Sequence, residues 1–141
     1  MDAERTTKIL TVLIVVFCLA GVIDASLALG EHYNTGPSPC SINDVWDCGE
    51  VNHSEYAVLH GVPVAIIGIV GYTLLTALAG RFPGITAAAA LASVVFSLRL
   101  TWIEWKDLKV WCIYCVASQI IILIVFLLSL AAAWLSKRKP A

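Results

Sequence analysis

Charged side chains are scarce in this sequence: Asp, Glu, Lys and Arg make up only 13% of its 141 residues, and the formal net charge is −1. No basic stripe is present, so the sequence lacks the electrostatic footprint of a protein that binds nucleic acid. Hydrophobic residues instead account for 60% of the chain, and the mean hydropathy is +0.87. A water-soluble domain of this size cannot bury so much apolar surface, so we expect a protein embedded in the lipid bilayer.

Four apolar runs come close to the roughly 20 residues that a membrane-spanning helix needs. They cover residues 9–29, 62–79, 85–103 and 110–135. Pro63 suits the first turn of the second helix, where a missing N–H costs little. We therefore predict an all-α membrane protein with a single domain over residues 1–141. Its architecture is a four-transmembrane-helix bundle, and the first outer loop, residues 31–61, covers the bundle mouth as a lid.

Basic residues predict the orientation of this bundle. With the N-terminus inside the cell, six of them fall on the inner side: Arg5, Lys8, Arg81, Lys137, Arg138 and Lys139. Only Lys106 and Lys109 fall on the outer side. Because cytoplasmic loops carry the excess of Lys and Arg, we expect a multi-pass protein of the cell (inner) membrane with both termini in the cytoplasm. A cleaved signal peptide in place of the first helix is a weaker alternative, since the apolar run is long for one.

The cysteines cluster on one side of the membrane in this orientation. Cys40 and Cys48 lie in the first outer loop, and Cys112 and Cys115 begin the fourth helix on the outer side. Disulfides form and persist in the oxidising outer compartment. Cys18 lies in the middle of the first helix, where a cysteine usually serves as a small apolar packing residue.

The stretch WCIYC places Cys112 and Cys115 in a Cys-x-x-Cys motif at a helix N-terminus. Unpaired N–H groups and the helix dipole favour the reactive thiolate there, and the spacing puts both sulfurs on one helical face. Redox chemistry needs this arrangement. Two alternatives remain open: an inert structural disulfide, or a zinc site that uses all four outer thiolates. Seven residues separate Cys40 from Cys48, which is wider than the usual spacing of zinc ligands.

Several other residues carry weaker signals. Asp24 and Arg99 are charged residues inside predicted spans at similar depth. We expect them to form an ion pair or to snorkel to the interface, in preference to a proton relay. Ser54 is expected to cap a short helix over residues 54–59, with His53 beside it as a candidate for proton transfer. The tryptophans near the outer helix ends fit an interfacial aromatic belt. They are Trp102, Trp105 and Trp111.

Two stretches resemble the vitamin K epoxide reductase family, particularly its bacterial members: CSINDVWDCGEVNHSEYAVLHGVPVAIIGIVGYTLL and SLRLTWIEWKDLKVWCIYCVASQ. The shared motifs are a loop cysteine pair, Ser54 six residues after Cys48, Gly-Val-Pro at the start of a helix, and Cys-x-x-Cys at the start of the last span. With the four spans, the likeness covers nearly the whole chain.

The resemblance implies a four-helix bundle around a quinone, which receives electrons from the dithiol of a thioredoxin-like partner. By position, Cys40 and Cys48 correspond to the pair that takes electrons from the partner, and Cys112 and Cys115 to the quinone-side pair. Ser54 corresponds to a polar residue near the active site. The chain ends at SKRKPA, so the expected partner is a separate protein in the periplasm or outside the cell.

The resemblance also implies three quinone contacts: Val64, Ile67 and Gln119. Val64 stands where animal relatives carry an asparagine, and Gln119 stands where they carry a tyrosine. Both differences favour reduction of a plain quinone (menaquinone, ubiquinone or a vitamin K type) over reduction of an epoxide.

The function predicted from the sequence is therefore that of a membrane thiol–quinone oxidoreductase that supports disulfide bond formation, with no metal in the site. Two other classes of protein remain as alternatives: a structural four-span protein braced by outer disulfides, and a membrane protein that binds a metal through thiolates. The four-span disulfide-generating oxidases of Gram-negative bacteria are a further enzyme alternative, and they carry their Cys-x-x-Cys in the first outer loop. Here the motif lies at the start of the fourth helix, which argues against that family.

Overall fold

The computed structural model describes residues 2–139, which form five α-helices and one small hairpin. The helices are α1 (Ala3–Tyr33), α2 (Cys48–His53), α3 (Val64–Leu78), α4 (Pro83–Ile103) and α5 (Ile113–Arg138). The hairpin strands are β1 (Val58–Leu59) and β2 (Val62–Pro63). A 3₁₀ turn, Glu55–Ala57, precedes β1, and a π-helical turn, Glu104–Leu108, extends α4.

The four longer helices alternate in direction along the bundle. A large cavity is lined by the C-terminal part of α1, the N-terminal part of α3, the C-terminal part of α4 and the N-terminal part of α5. A small cleft at the opposite end is lined by the other end of each helix. Helix α5 packs against both α1 and α4, and α3 packs mainly on α1. The four longer helices therefore form an up-and-down bundle.

Three of the helices are long and apolar enough to cross a membrane: α1, α5, and α4 together with its π-helical extension. Helix α3 is apolar but has only 15 residues. At 1.5 Å per residue it is about 22 Å long, which is shorter than the ~30 Å hydrocarbon core of a bilayer. The protein is a helical membrane protein on these grounds, and a fourth crossing through α3 is part of the proposal below.

The segment between α1 and α3 departs from the expected all-α fold. His60 and Gly61 both have positive φ, 50° and 82°, which is the backbone of a two-residue hairpin turn. The turn pairs Val58 with Pro63. Helix α3 consequently begins at Val64, and Pro63 lies before its first turn instead of within it.

The expected cap at Ser54 is also wrong in detail. Its hydroxyl donates to the carbonyl oxygen of Val51 at 2.7 Å and makes no cap to the following turn. That turn is a single 3₁₀ turn over Glu55–Ala57 instead of a helix over 54–59. The residues after Ala57 form strand β1 of the hairpin, so a helix cannot continue through them.

The bundle core is built where α1 and α3 approach closely. A Cβ atom added to Gly21 would lie 2.5 Å from a ring carbon of Tyr72, so only glycine lets the ring pack flat against α1. The Tyr72 hydroxyl donates to the carbonyl oxygen of Ser118 at 3.0 Å and lies 2.8 Å from the Ser118 hydroxyl. Tyr72 thus ties three helices together. Cys18 is fully buried in the same apolar core, as expected for a packing residue.

The expected ion pair between Asp24 and Arg99 is absent. Within the described part of the chain, the one salt bridge joins Lys8 to Glu4 at 2.8 Å on the surface of α1. Arg99 is exposed, whereas Asp24 lines the large cavity. The reason is helix order, since α1 packs on α3 and α5 while α4 packs mainly on α5. Equal depth in the bundle therefore does not bring these two side chains together.

Candidate redox site

Three of the four outer cysteines meet above the large cavity. Cys40 and Cys48 form a disulfide with 5.3 Å between their Cα atoms. The sulfur of Cys112 lies within 4.8 Å of both of theirs. Cys48 and Cys112 are fully buried, and Cys40 is 5% exposed. The loop pair and the helix pair are thus close enough for sulfur exchange after a small movement, and Cys40 is the more accessible end.

Backbone pairing holds the cysteine loop against the start of α5. The Trp111 N–H donates to the carbonyl oxygen of Val45 at 2.7 Å, and the Asp47 N–H donates to the carbonyl oxygen of Trp111 at 2.9 Å. The second of these bonds joins the residue before Cys48 to the residue before Cys112. The register of the two cysteines is therefore fixed by main-chain atoms.

Asp47 fixes the start of α2, which carries Cys48 as its first residue. Its carboxylate accepts hydrogen bonds from the Ser41 hydroxyl at 2.6 Å and from the Glu50 N–H at 3.0 Å. The bond from Ser41, followed by that from Glu50, holds the pKa of Asp47 below its ordinary value. The residue therefore stays ionised and keeps capping the helix at neutral pH.

Cys112 occupies the N-cap position of α5 and is surrounded by two polar side chains. The amide of Asn52 donates to the Cys112 sulfur at 3.5 Å and to the carbonyl oxygen of Cys48 at 2.8 Å. The carboxylate of Glu104 accepts the Cys112 N–H at 3.1 Å. Glu104 is only 3% exposed and Asn52 only 7%. Both residues thus fix the position of the Cys112 sulfur from the inside of the fold.

Cys115 differs from Cys112 because it lines the large cavity. Cys112 and Cys115 are both free thiols in this structure, whereas Cys40 and Cys48 are bonded. The cavity has a volume of about 350 Å³, which lies in the range of small-molecule sites. Its walls are mostly apolar. The helix pair therefore connects the loop disulfide on one side with a mostly apolar cavity on the other.

The remaining residues expected at the site fall into two groups. Ser54, Val64 and Ile67 line the cavity. Gln119 is not among the lining residues; its side-chain oxygen accepts the Thr101 hydroxyl at 3.2 Å, and Thr101 does line the cavity. Gln119 thus does not line the cavity itself and is connected to it through the hydrogen bond with Thr101. It follows Ser118 in α5 and lies on the face toward α4.

Sequence reasoning missed three polar residues around the cysteines: Asn52, Glu104 and His32. The ring of His32 donates from Nδ1 to the carbonyl oxygen of Asn52 at 2.6 Å, and all three side chains line the cavity. A signal was available for Glu104, since an acidic residue just after an apolar run is unusual beside a Cys-x-x-Cys motif. No pattern in the sequence connects Asn52 with Cys112, which lies 60 residues away.

The other candidate residues lie outside the cavity wall. His53 is exposed and its ring donates to the carbonyl oxygen of Gly49 at 2.7 Å, so it has no contact with the cysteines that would support proton transfer. Trp102 and Trp105 are more than half exposed near the outer end of α4 and pack edge to face. This position fits the expected aromatic belt better than a ligand pocket.

The disulfide weakens the metal-binding alternative. A zinc site would need four thiolates or comparable ligands, and pairing Cys40 with Cys48 removes two of them. The three sulfurs that lie together are those of Cys40, Cys48 and Cys112. Only the last of these is free to ionise.

Comparison with known proteins agrees with this geometry. A model of the vitamin K epoxide reductase family matches residues 12–130, a segment that contains all four outer cysteines. The chain is also similar to thiol-disulfide oxidoreductase LTO1 of Arabidopsis thaliana, with 37% identity over 100 residues; the match covers 58% of this chain and 26% of the plant protein. The chain thus spans about a quarter of that relative's length. Since the family model covers most of its residues, the chain belongs to the vitamin K epoxide reductase family.

Proposed function

We propose that this protein is a membrane thiol–quinone oxidoreductase that carries electrons from a thioredoxin-like partner to a membrane quinone, and so supports disulfide formation. The observation that carries the proposal is the convergence of three cysteine sulfurs within 4.8 Å of one another, with Cys115 of the same motif on the wall of an apolar cavity. A structural disulfide brace requires neither the free cysteine pair nor the cavity.

The first step is exchange between the partner and the loop disulfide. A partner thiolate attacks the sulfur of Cys40, the more exposed of the two, and Cys48 leaves as a thiolate. The second partner thiol then displaces Cys40, so the partner ends as a disulfide and the loop pair as a dithiol. Two electrons have entered the protein.

The second step moves these electrons to the helix pair. The Cys48 thiolate attacks Cys112 of a Cys112–Cys115 disulfide, and Cys115 leaves. Cys40 then attacks Cys48, which closes the loop disulfide again and frees Cys112. The structure has a bonded loop pair and a free helix pair, and it therefore corresponds to the state after this step.

A quinone head group fits the cavity by shape and by chemistry. Small residues widen the cavity between α1 and α3, among them Ala25, Ala28 and Gly71, and a Cβ atom at Gly71 would meet open space. When bound, a quinone would accept two electrons from the Cys112–Cys115 dithiol together with two protons. Val64, Ile67 and Ser54 would contact the ring, and Gln119 would act through Thr101. No epoxide chemistry is needed in this scheme.

The same proposal includes the membrane topology. We place the cysteine loop on the outer side and both termini in the cytoplasm, with α3 and the preceding hairpin completing a fourth crossing. Residues 34–63 would act as a lid over the cavity, since Val51, Asn52 and Ala57 of this segment already form part of its wall.

The direct test is electron transfer in the purified protein under anaerobic conditions. A reduced thioredoxin-like protein should drive reduction of a short-chain menaquinone or ubiquinone analogue by the native chain. Cys112→Ala and Cys115→Ala should abolish quinone reduction, whereas Cys18→Ala should retain it, because Cys18 is buried in the bundle core away from the cavity. Oxidation of the partner without quinone reduction would overturn the proposal.

A further inference from the structure

Glu104 is a buried carboxylate at the meeting point of the two sulfurs of the helix pair. It is 3% exposed, it follows the last residue of α4, and it accepts the N–H of Cys112 at 3.1 Å. Cys115 follows three residues after Cys112 in the first turn of α5, and its side chain and that of Glu104 line the same cavity. A carboxylate in such a place is costly unless hydrogen-bond donors compensate its charge.

The two donors available to Glu104 depend differently on the redox state. The N–H of Cys112 is present in every state. The thiol proton of Cys115 exists only while the helix pair is reduced, as it is in this structure. Oxidation to a Cys112–Cys115 disulfide removes that proton from the cavity wall, and the Cys112 N–H then remains as the hydrogen-bond donor to the buried carboxylate. Taking up a proton is the way for it to remain buried.

We propose that Glu104 exchanges one proton with the sulfur of Cys115 in each catalytic cycle, a role that rests on the proposed thiol–disulfide function. When Cys48 attacks Cys112 and Cys115 leaves as a thiolate, protonated Glu104 gives its proton to that sulfur and becomes a carboxylate. When the helix pair is reoxidised, Cys115 returns the proton to Glu104 as the electron pair leaves the two sulfurs for the quinone. Glu104 is then ready for the next exchange.

Protons balance over the cycle. The proton released when Cys48 becomes a nucleophilic thiolate goes to the water outside. Cys40 passes its thiol proton to Cys112 when it closes the loop disulfide, and Cys112 later gives this proton to the reduced quinone. The second proton for the quinone enters from water and replaces the one released by Cys48. Glu104 itself gains and loses one proton.

Other ionisable groups around the cavity are placed differently. Asp24 and His32 of α1, Tyr72 of α3 and Tyr114 of α5 also line it. The hydroxyl of Tyr72 is bonded to Ser118, and the ring of His32 to the carbonyl oxygen of Asn52. In the part of the chain that the structure describes, Glu104 is the acidic side chain that is hydrogen-bonded to the Cys-x-x-Cys segment.

Redox-difference infrared spectroscopy on quinone-free protein tests the proposal without any quinone turnover. Oxidation of the Cys112–Cys115 dithiol should produce the C=O band of a protonated carboxylic acid in the native protein. Glu104→Gln should remove this band. Glu31→Gln should keep it, because Glu31 is another buried carboxylate, 6% exposed, but lies on α1 outside the cavity lining. A band that survives in Glu104→Gln, or no band in the native protein, would overturn the proposal.

A kinetic measurement supplies the second readout. In single-turnover exchange between the reduced loop pair and the oxidised helix pair, again without quinone, Glu104→Gln should be slower by about 100-fold, the lower end of what positioned proton transfer contributes. The amide oxygen of Gln still accepts the Cys112 N–H, so the fold is retained. Glu104→Asp should recover part of the rate, since it restores a titratable group. Equal rates in the native protein and Glu104→Gln would refute the role.

These outcomes are independent of the quinone assay. If the native protein reduced no quinone but displayed the infrared band, the proposed acceptor would be wrong while the role of Glu104 would stand. If quinone reduction occurred with no band, only the role of Glu104 would fail.

Discussion

At the scale of single residues, the two cysteine pairs differ in what surrounds them. Cys40 is 5% exposed, while Cys48 and Cys112 are fully buried. The amide of Asn52 contacts both buried cysteines: it donates to the Cys112 sulfur and to the carbonyl oxygen of Cys48. An N–H donor stabilises a thiolate more than a thiol. Asn52 therefore favours the release of Cys112 as a thiolate, which happens in the proposed exchange when Cys40 closes the loop disulfide.

The first prediction follows from this arrangement. Cys40→Ala removes the residue that resolves a bond between Cys48 and Cys112, so a disulfide between those two should accumulate. It should be detected by mass spectrometry as a peptide that links α2 to α5 after digestion without reductant. The bond should disappear in Cys40→Ala/Cys112→Ala and persist in Cys40→Ala/Cys18→Ala.

Two results would contradict this order of events. A Cys48–Cys115 bond in Cys40→Ala would reverse the roles of the two cysteines in the helix pair. A variant with no bond between the loop and α5 would show that the proposed transfer between the pairs does not occur.

The sequence was sufficient to select the cysteines as candidates, because the Cys-x-x-Cys at a helix start is a local pattern. It was not sufficient for Asn52 and Glu104. Their importance arises from contacts with Cys112 across 60 and 8 residues, and these contacts depend on how α2 and the π-helical turn pack against α5. The position of Gln119 was not predictable either, because a tertiary contact places Thr101 between Gln119 and the cavity.

At the scale of secondary-structure elements, the contact of α1 with α3 decides how closely the helices approach. Gly21 leaves room for the ring of Tyr72, and Tyr72 in turn bonds to Ser118 on α5. The ring is 4% exposed and is held at its far end, so it has little freedom to move away from a larger residue on α1.

The second prediction is a coupling between these positions. Gly21→Ala should destabilise the protein by about 1–3 kcal/mol, the usual cost of overpacking a core, even though alanine favours a helix more than glycine does. In a Tyr72→Ala background the same change should cost nothing, because the clashing ring is gone. Unfolding of the four proteins in detergent with a denaturant gives the coupling free energy.

Gly30→Ala is the matched control in the same helix. A Cβ atom at Gly30 meets nothing within 4 Å, so this substitution should stabilise α1 by up to ~1 kcal/mol. If Gly21→Ala and Gly30→Ala had the same effect, close packing of α1 on α3 would not be the reason for Gly21.

Hydrophobic runs predicted the helices well but predicted their ends less well. Helix α3 was expected from residue 62, yet the hairpin turn at His60–Gly61 takes Val62 and Pro63 into a strand. A run of apolar residues has the same appearance whether its first members are extended or helical. The partners of the helices were also beyond the sequence, as the missing Asp24–Arg99 pair demonstrates, because depth in the membrane does not specify which helices are neighbours.

At the scale of the whole molecule, charge is distributed unequally between the two ends of the bundle. The small cleft contains Thr7 near the start of α1, Gly80 between α3 and α4, and Ala132 near the end of α5. The flanking basic residues of this end outnumber those of the cysteine end by six to two. By the positive-inside rule, this distribution supports the proposed orientation, with the cleft end in the cytoplasm.

The third prediction tests this orientation with a membrane-impermeant maleimide on intact cells. Glu55→Cys, at an exposed position near the cysteine loop, should be labelled before lysis. Ser136→Cys, at an exposed position near the end of α5, should be labelled only after lysis. The native chain serves as the blank. The opposite pattern would place the loop in the cytoplasm and remove the proposed access of an external partner.

The complete burial of Cys112 has a further consequence for the separation of water-soluble thiols from oxidants in the membrane. Its sulfur and that of Cys115 belong to one helical turn, but only the latter reaches the cavity. In the proposed function, this burial separates dithiols in the outer water from oxidants dissolved in the lipid. Electrons would then pass between the two pools only through the two cysteine pairs, two at a time. Direct contact between the pools would oxidise thiols indiscriminately, so the burial of Cys112 would make the transfer selective.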